Sequence, residues 1–83
     1  MITRDSQLRG GRPIIAGTGT CVCTIANDSN RGLSPQQIAA ERAHLTLAQV
    51  YAALSFYQAN KAEIDADIAA EDAAYLEAAG AAR

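Results

Sequence analysis

The residues best suited to metal or redox chemistry are two cysteines and a histidine. Cys21 and Cys23 form the short motif CVC, and His44 lies well beyond them in the chain. A structural zinc site needs four ligands, and this set lacks the fourth. In a strand the two cysteines would project to the same face, but a disulfide between neighbours two residues apart is strained and uncommon. We therefore predict no metal site and no disulfide framework, and we expect His44 to cap or pack locally in a turn.

Acidic residues and glycines are also frequent, but neither group matches a ligand-binding motif. The acids of the C-terminal helix lack the spacing of a calcium-binding loop. The glycine-rich run over residues 10–19 has no Gly-Lys-Ser or Gly-Lys-Thr, and its spacing matches no dinucleotide fingerprint. No Ser–His–acid or Cys–His arrangement is supported. We expect the protein to be neither an enzyme nor a cofactor-binding protein.

Positive charge is concentrated toward the N-terminus and negative charge toward the C-terminus. Residues 1–60 carry five arginines against three acids, a net charge of +2, whereas residues 61–83 carry Lys61 and Arg83 against six acids, a net charge of −4. Three of the arginines lie close to the start of the chain, at Arg4, Arg9 and Arg12. Segments of opposite charge suggest different partners for each segment.

The small size of the chain limits its core. With 83 residues it is expected to form one domain. A domain of this size buries about 60% of its unfolded surface, and only one Phe, three Tyr and no Trp are available to fill the core. We expect a homodimer or a partner protein to supply the missing burial. The N-terminal segment is too polar for a signal peptide and no apolar run approaches membrane-spanning length, so a cytoplasmic location is expected.

The elements that would position these residues begin with one β-prone region. Residues 1–11 are polar and are expected to form a flexible arm. Between Arg12 and Ile25, two short β-prone runs flank a glycine-rich turn, which predicts a hairpin in which Pro13 confines the first run to an edge. A short helix is expected to begin inside that region and to end near Asn30, with a glycine shortly after it as the stop.

Two helix starts follow in close succession. Ser34 and Gln37 form a capping box around a proline at the first helical position, and this helix should end near Arg42. Thr46 and Gln49 form a second capping box, which opens a helix to about residue 58. The apolar side chains of this helix recur at helical spacing and should face the core: Leu47, Val50, Tyr51, Leu54 and Tyr57.

An acidic helix is predicted to follow and to extend to about Ala79. A possible third capping box at Asn60 and Glu63 opens it, and Gly80 ends it. The sequence leaves open whether this helix continues the preceding one. Its apolar stripe contains Ile64, Ile68 and Tyr75 with Leu76 beside it, and Glu63, Asp67 and Glu71 recur every four residues on another face.

Two helices joined by so short a turn are typical of the helix-turn-helix unit. In that arrangement helix 35–42 supports helix 46–58, which presents its first residues to DNA. The second helix carries no Arg or Lys, so the N-terminal arginines would have to supply the phosphate contacts as an arm. The predicted DNA contacts are Arg4, Arg9, Arg12, Thr46 and Gln49. The alternative is that the corner is only structural, because any small helical domain needs a tight turn between helices.

Three segments, GGRPIIAGTGT, GLSPQQIA and AHLTLAQVYAALSFYQANKAEIDADI, resemble the domain of unknown function 433 family of bacteria and archaea over residues 10–68. The resemblance implies a homeodomain-like helix-turn-helix domain. It also implies a VapB-type antitoxin, because members of that family are often encoded beside a PIN-like ribonuclease toxin. The chain departs from the family pattern at Gly19, where an arginine usually follows Gly-Thr. A nucleic-acid contact or a hairpin brace made by that arginine would be lost.

If the chain is an antitoxin, its C-terminal helix is the element expected to bind the ribonuclease. The apolar stripe would fill a groove on the toxin, and the acids would meet the basic rim of that groove. The predicted toxin contacts are Ile64, Asp67, Ile68, Glu71, Tyr75 and Leu76. Two alternatives stay open. Ile64 and Ile68 could pack back on the domain while the Ala-rich end frays, or two such helices could pair as a dimer seam.

These features predict a mainly α domain in three parts. They are a flexible arm over residues 1–11, a β-hairpin with a helix-turn-helix over residues 12–60, and an acidic amphipathic helix over residues 61–83. The favoured function is an antitoxin that neutralises a PIN-like ribonuclease and, as a homodimer, represses its own operon by binding operator DNA. A stand-alone DNA-binding regulator and a protein-interaction or assembly module without DNA binding are the alternatives.

Overall fold

Four α-helices make up most of the described part of the chain. The computed structural model describes residues 1–7 and 9–81. After a short two-stranded sheet come α1 (Val22–Asn30), α2 (Pro35–Glu41), α3 (Leu47–Ala59) and α4 (Lys61–Ala81). The predicted fold class, mainly α with a short N-terminal β-hairpin and a C-terminal helix, is confirmed.

The sheet is formed earlier in the chain than predicted. Strand β1 (Ile2–Arg4) pairs with β2 (Pro13–Ile15) in antiparallel orientation, with Ile2 opposite Ile15. The prediction of a flexible arm over residues 1–11 is therefore wrong for residues 2–4. Ile2 is half-buried against the core, and this burial gives the N-terminal segment a fixed position.

The run that follows the glycine-rich turn does not become the second strand. Its contact with β2 is a single bridge between Ile14 and Cys21. The chain turns at Gly17, which has a φ of 81°, a value that favours glycine over residues with a side chain. From Val22 onward the run is helical, with Val22, Cys23 and Ile25 buried, so the free edge of β2 pairs with β1.

Helix α1 lies at the centre of the molecule. It packs against α2, α3, α4 and β2, and its apolar face contributes Val22, Ile25 and Ala26 to the core. Each surrounding element adds one or more buried side chains to the same cluster. They are Ile15 from β2, Ile38 from α2, Val50, Ala53 and Tyr57 from α3, and Ile64 from α4.

Two of the three predicted capping boxes are present, whereas at the third the Asn60 side chain donates to the Phe56 carbonyl and Glu63 binds Arg4 instead. The Ser34 hydroxyl accepts a hydrogen bond from the Gln37 backbone N–H at 3.2 Å, and the Gln37 side chain accepts one from the Ser34 N–H at 2.8 Å. The same reciprocal pair joins Thr46 and Gln49, at 3.1 and 2.8 Å. Local side-chain chemistry therefore starts α2 and α3 at the predicted positions.

The core-facing side of α3 is narrower than predicted. Val50, Ala53 and Tyr57 are buried, but Leu47 and Tyr51 are 39% and 49% exposed. Successive helical residues turn by about 100°, so Tyr51 points well away from its neighbour Val50. Its hydroxyl instead accepts a hydrogen bond from Gln36 of α2 at 3.4 Å.

Helices α3 and α4 are separate. Asn60 interrupts them with a φ of −135° and a ψ of 42°, and its side-chain amide donates back to the Phe56 carbonyl at 3.1 Å. Helix α4 buries Ile64 completely and Ile68 partly, whereas its described residues from 69 onward are exposed. Within the described residues, no helix combines the length and the apolar character that crossing a membrane requires.

Candidate interaction surface on the C-terminal helix

Helix α4 divides into an attached part and a projecting part. Residues 61–71 contact the body of the domain, and we call residues 72–80 the distal segment of α4. The attachment is apolar at Ile64 and Ile68. It is reinforced by ion pairs that reach α4 from the N-terminal hairpin, and these pairs involve residues that the sequence assigned to two different partners.

Arg4 of β1 binds Glu63 in the first turn of α4. The Arg4 guanidinium donates two hydrogen bonds to the Glu63 carboxylate, at 2.6 and 2.9 Å. This two-point geometry is the strongest form of an arginine–carboxylate pair. The hydrogen bonds hold the pKa of Glu63 below its ordinary value and raise the pKa of Arg4.

Arg12, which precedes β2, binds two further acids of α4. Its Nη1 donates to the Glu71 carboxylate at 2.6 Å, and its Nε lies 3.7 Å from Asp67 Oδ1. The other Asp67 oxygen, Oδ2, is buried without a hydrogen-bond partner. Burial raises the pKa of Asp67, and the positive charge of Arg12 opposes this effect. Three acids expected to meet a partner's basic rim are thus paired within the chain.

A second cluster of charge lies between α1 and α2. The Asp28 carboxylate is buried, and it accepts hydrogen bonds from Arg42 Nε at 2.7 Å and Arg42 Nη2 at 3.2 Å. Arg31 Nη1 approaches the same carboxylate at 3.4 Å. The hydrogen bonds to Asp28 raise the pKa of Arg42. This cluster fixes the end of α2 against α1.

The remaining described cation is Lys61, at the start of α4. Its Nζ donates to the Tyr57 hydroxyl at 3.0 Å and lies 4.7 Å from the centre of the Tyr57 ring. The Tyr57 hydroxyl in turn donates to Asp65 at 2.6 Å. Every Arg and Lys side chain that the structure describes therefore has a partner within the chain. The side chains of Arg9 and Arg83 lie outside the described part.

The predicted DNA-contacting residues are not gathered into one surface that is ready to bind. Arg4 and Arg12 are paired with acids of α4, as described above. Thr46 and Gln49 use their side chains to cap α3, although Thr46 itself is exposed. The sequence had assigned these two residues both a capping role and a DNA-reading role, and the geometry accounts for the capping role.

The predicted toxin-contacting residues fall into three groups. Ile64 is fully buried in the chain's own core and cannot contact a partner while the domain is folded, and Ile68 is half-buried against the same core. This is the packed-back arrangement that the sequence left open as an alternative. Asp67 and Glu71 face Arg12. Tyr75 and Leu76 are 73% and 67% exposed.

The distal segment of α4 is consequently the largest uncovered apolar feature of this helix. Tyr75 lies eleven residues after Ile64, which is about three helical turns, so it continues the buried stripe beyond the edge of the body. Asp72 and Glu77 are exposed beside it, and the segment carries no Arg or Lys. The segment thus offers an aromatic ring and a leucine on a helix of negative charge.

His44 is exposed before α3, and the two cysteines are buried at the start of α1. Nε2 of His44 and the Thr20 hydroxyl lie within hydrogen-bonding distance, at 2.9 Å, so His44 contacts a residue 24 positions earlier in the chain and not only its own turn. Cys21 and Cys23 are buried free thiols. Among the described residues, no group of three or more Cys, His, Asp or Glu side chains could hold a metal ion.

Comparison with known proteins gives one match. A family model described as "Protein of unknown function (DUF433)" matches residues 2–57, which include the hairpin and α1 to nearly the end of α3. No curated protein and no solved structure matches the chain. Helix α4 lies beyond the matched residues. Because the model covers more than half of the sequence, the chain belongs to the domain of unknown function 433 family.

Proposed function

We propose that this protein is an antitoxin-type inhibitor whose distal segment of α4 docks into an apolar groove of a PIN-like ribonuclease. The observation that carries the proposal is the exposure of Tyr75 and Leu76, at 73% and 67%, on a helix that projects beyond the core. The class of partner follows from the family resemblance of the sequence. The apolar and acidic side chains of the distal segment indicate how it would dock.

The distal segment has the properties of a preformed docking element. An isolated helix of this length would be marginal in water, but the attached part of α4 is held by Ile64 and by the Arg4 and Arg12 pairs. A helix that is already ordered loses less conformational entropy on binding. Large aromatic side chains often dominate the binding energy of an interface, and Tyr75 is the exposed aromatic side chain of the distal segment.

The charge of the segment restricts the groove it would fit. Asp72 and Glu77 flank Tyr75 and Leu76, and neither acid forms an ion pair within the described chain. A groove with a positive rim would complement them. A ribonuclease must bind the phosphates of RNA near its active site, so it offers such a rim. Occupation of that groove by α4 would exclude RNA.

Removing the two exposed apolar side chains should abolish tight binding to the ribonuclease. We expect the double variant Tyr75→Ala with Leu76→Ala to lower affinity on the order of 100-fold, because truncating an interface residue that matters costs more than about 1 kcal/mol and a loss of about 1.4 kcal/mol at each residue is tenfold. The measurement is titration calorimetry of the full chain against the PIN-like ribonuclease encoded next to its gene. Inhibition of RNA cleavage should weaken in parallel.

The matched control removes the same kinds of side chain elsewhere. Leu47 and Tyr51 are exposed on α3, and the double variant Leu47→Ala with Tyr51→Ala should leave the affinity unchanged. If the α4 double variant binds as tightly as the wild type, the distal segment is not the docking element. If the neighbouring gene encodes no such ribonuclease, the partner class of the proposal is wrong.

Operator binding is a second candidate, favoured by the short corner between α2 and α3. The first turn of α3 is exposed at Thr46, Leu47 and Ala48, as the reading helix of a helix-turn-helix unit requires. The phosphate contacts would have to come from Arg4 and Arg12, which now bind acids of α4. DNA and α4 would therefore compete for the same two guanidinium groups.

Releasing these arginines should strengthen DNA binding if the second candidate is correct. We expect the double variant Glu63→Gln with Glu71→Gln to bind the promoter DNA of its own gene about tenfold more tightly at low salt. Its affinity should also fall more steeply with salt, because two more phosphates are neutralised. Gel retardation over a series of salt concentrations provides both quantities. The control, Asp72→Asn with Glu77→Gln, changes the net charge equally but touches neither arginine. If DNA affinity rises equally in the two double variants, the rise reflects net charge alone, and the proposed competition between DNA and α4 is wrong. If neither the variants nor the wild type retards the DNA, the protein does not bind this operator.

A further inference from the structure

Two thiols lie against each other in the core, and neither proposed function uses them. Cys21 and Cys23 are 1% and 2% exposed, and their sulfur atoms are 2.6 Å apart. One thiol therefore hydrogen-bonds to the other. Both are free cysteines, so the pair is a buried dithiol.

The two sulfurs have different surroundings. Cys21 is the N-cap of α1, and Cys23 lies in the first turn of that helix. The hydrogen bond from the Cys23 thiol, aided by the backbone N–H groups of Cys23 and Thr24, lowers the pKa of Cys21 to about 7 against the opposing effect of burial. The same hydrogen bond, together with burial, raises the pKa of Cys23. Cys21 is thus the more acidic thiol of the pair, and Cys23 is the less acidic one.

The charged groups around the pair are fixed by other contacts. From α4, Asp67 and Glu71 are the acids whose negative charge acts on the thiols, and Arg12 pairs with both. From α1, Asp28 is held by Arg31 and Arg42. The single histidine of the chain, His44, lies at hydrogen-bonding distance from the side chain of Thr20, the residue before Cys21.

Access to the pair is narrow. Cys23 lines a cleft of about 170 Å³ between α1 and α4, with Ile68 and Glu71 on one wall and Asp28 on another. A cleft of this size admits a small molecule but not a folded protein. A small oxidant, rather than a disulfide-exchange enzyme, can therefore reach the Cys23 side of the pair, and the Cys21 sulfur lies 2.6 Å from that of Cys23.

We propose that Cys21 and Cys23 form an oxidation site that hydrogen peroxide, or another small hydroperoxide, converts into an intramolecular disulfide. The Cys21 thiolate attacks one peroxide oxygen, so an S–O bond forms and the O–O bond breaks. Cys21 becomes a sulfenic acid, and the second oxygen leaves as hydroxide and takes up a proton to give water. The Cys23 sulfur then attacks the Cys21 sulfur, the S–S bond forms, the S–O bond breaks, and a second water leaves with the Cys23 proton. Two thiols are oxidised and one peroxide is reduced.

The spacing of the motif makes this disulfide easy to reverse. A bridge that closes across a single intervening residue is strained, and strained disulfides are more readily reduced. The product should therefore return to the dithiol with a small thiol such as dithiothreitol. The site is a reversible modification site rather than a permanent cross-link.

The experiment treats the full chain with hydrogen peroxide at a one-to-one ratio under denaturant-free conditions. Intact-mass spectrometry should show the loss of two hydrogen atoms, thiol titration should show the loss of both thiols, and dithiothreitol should restore them. The rate should rise about fivefold from pH 6 to pH 7 and should level off above pH 8, as expected for a thiolate with a pKa near 7.

Two single variants assign the roles of the sulfurs. Cys23→Ser should stop at the sulfenic acid, which dimedone traps, whereas Cys21→Ser should react at least tenfold more slowly. Circular dichroism establishes that each variant is folded, and the wild-type mass change does not depend on either variant. The proposal is overturned if the wild type retains both thiols, if it forms only intermolecular dimers on a non-reducing gel, or if the rate still climbs steeply above pH 8 as for an ordinary cysteine.

Discussion

Replacing Ile64 by alanine is expected to lower the free energy of unfolding by about 3 kcal/mol. Ile64 is fully buried and is the one completely buried residue that the described part of α4 gives to the core. Its removal would leave a cavity between α4 and the body, and the loss combines the transfer free energy of the missing atoms with the cost of that cavity. Urea denaturation followed by circular dichroism at 222 nm measures the effect.

Leu76→Ala is the matched control for this prediction. Leu76 lies on the same helix but is 67% exposed, so its truncation should change the free energy of unfolding by less than about 0.5 kcal/mol. The two variants thus separate the structural half of α4 from the half proposed to bind a partner. A loss below about 1 kcal/mol for Ile64→Ala would mean that α4 is not anchored in the core as the structure describes.

Replacing Asp28 by alanine should cost about 2 kcal/mol. The carboxylate is 3% exposed and accepts the three guanidinium hydrogen bonds of Arg42 and Arg31 described above. Breaking a fully buried ion pair costs about 3–5 kcal/mol, but the Arg42 side chain is about one-third exposed and water can solvate part of its charge. The expected loss is therefore nearer to that of charged hydrogen bonds at a partly exposed site.

A double-mutant cycle with Asp28→Ala and Arg42→Ala isolates the pair. Thermal and urea unfolding of both single variants and the double variant should give a coupling energy between about 1 and 2 kcal/mol. Additive losses would show that Asp28 acts through packing rather than through Arg42. The same cycle with Arg31→Ala should give a smaller coupling, because Arg31 is more exposed and its contact is longer.

The charge asymmetry of the sequence acquires a different meaning in the folded chain. Basic N-terminal and acidic C-terminal segments suggested two separate partners, yet Arg4 pairs with Glu63 and Arg12 with Glu71. Each pair joins residues 59 positions apart. These ion pairs hold the hairpin against α4. The acids of the distal segment, Asp72 and Glu77, are outside these pairs and could contact a partner.

The elements that could be predicted from the sequence are those set by near neighbours. Ser34 with Gln37 and Thr46 with Gln49 satisfy backbone N–H groups within one turn, so the starts of α2 and α3 do not depend on the rest of the fold. The acidic helix after Asn60 was also predicted correctly as an element, although it extends to Ala81, slightly beyond the predicted end. The fold class follows from these local signals.

The pairings between distant segments could not be predicted in the same way. The run from Cys21 to Ile25 has the composition of a strand, but from Val22 onward it forms α1. As a helix it buries Val22 and Ile25 against the three other helices. The apolar stripe of α4 is visible in the sequence. The same pattern of residues would occur whether Ile64 packs in the core of its own chain or binds a partner protein. The CVC motif does not reveal the contact of its two sulfurs, which arises from the N-cap geometry of α1.

By itself, the sequence determined the helices and the caps of α2 and α3, because these depend on hydrogen bonds and side-chain spacing within a few residues. Only the tertiary structure decided that Ile64 belongs to the core, that Arg4 and Arg12 hold α4, and that Tyr75 and Leu76 are left exposed. Those outcomes depend on how much apolar surface a body of this size can cover and on charges brought together across the whole chain. Ile68 is the last residue of α4 that packs against the core, and the proposed partner would contact the helix beyond it.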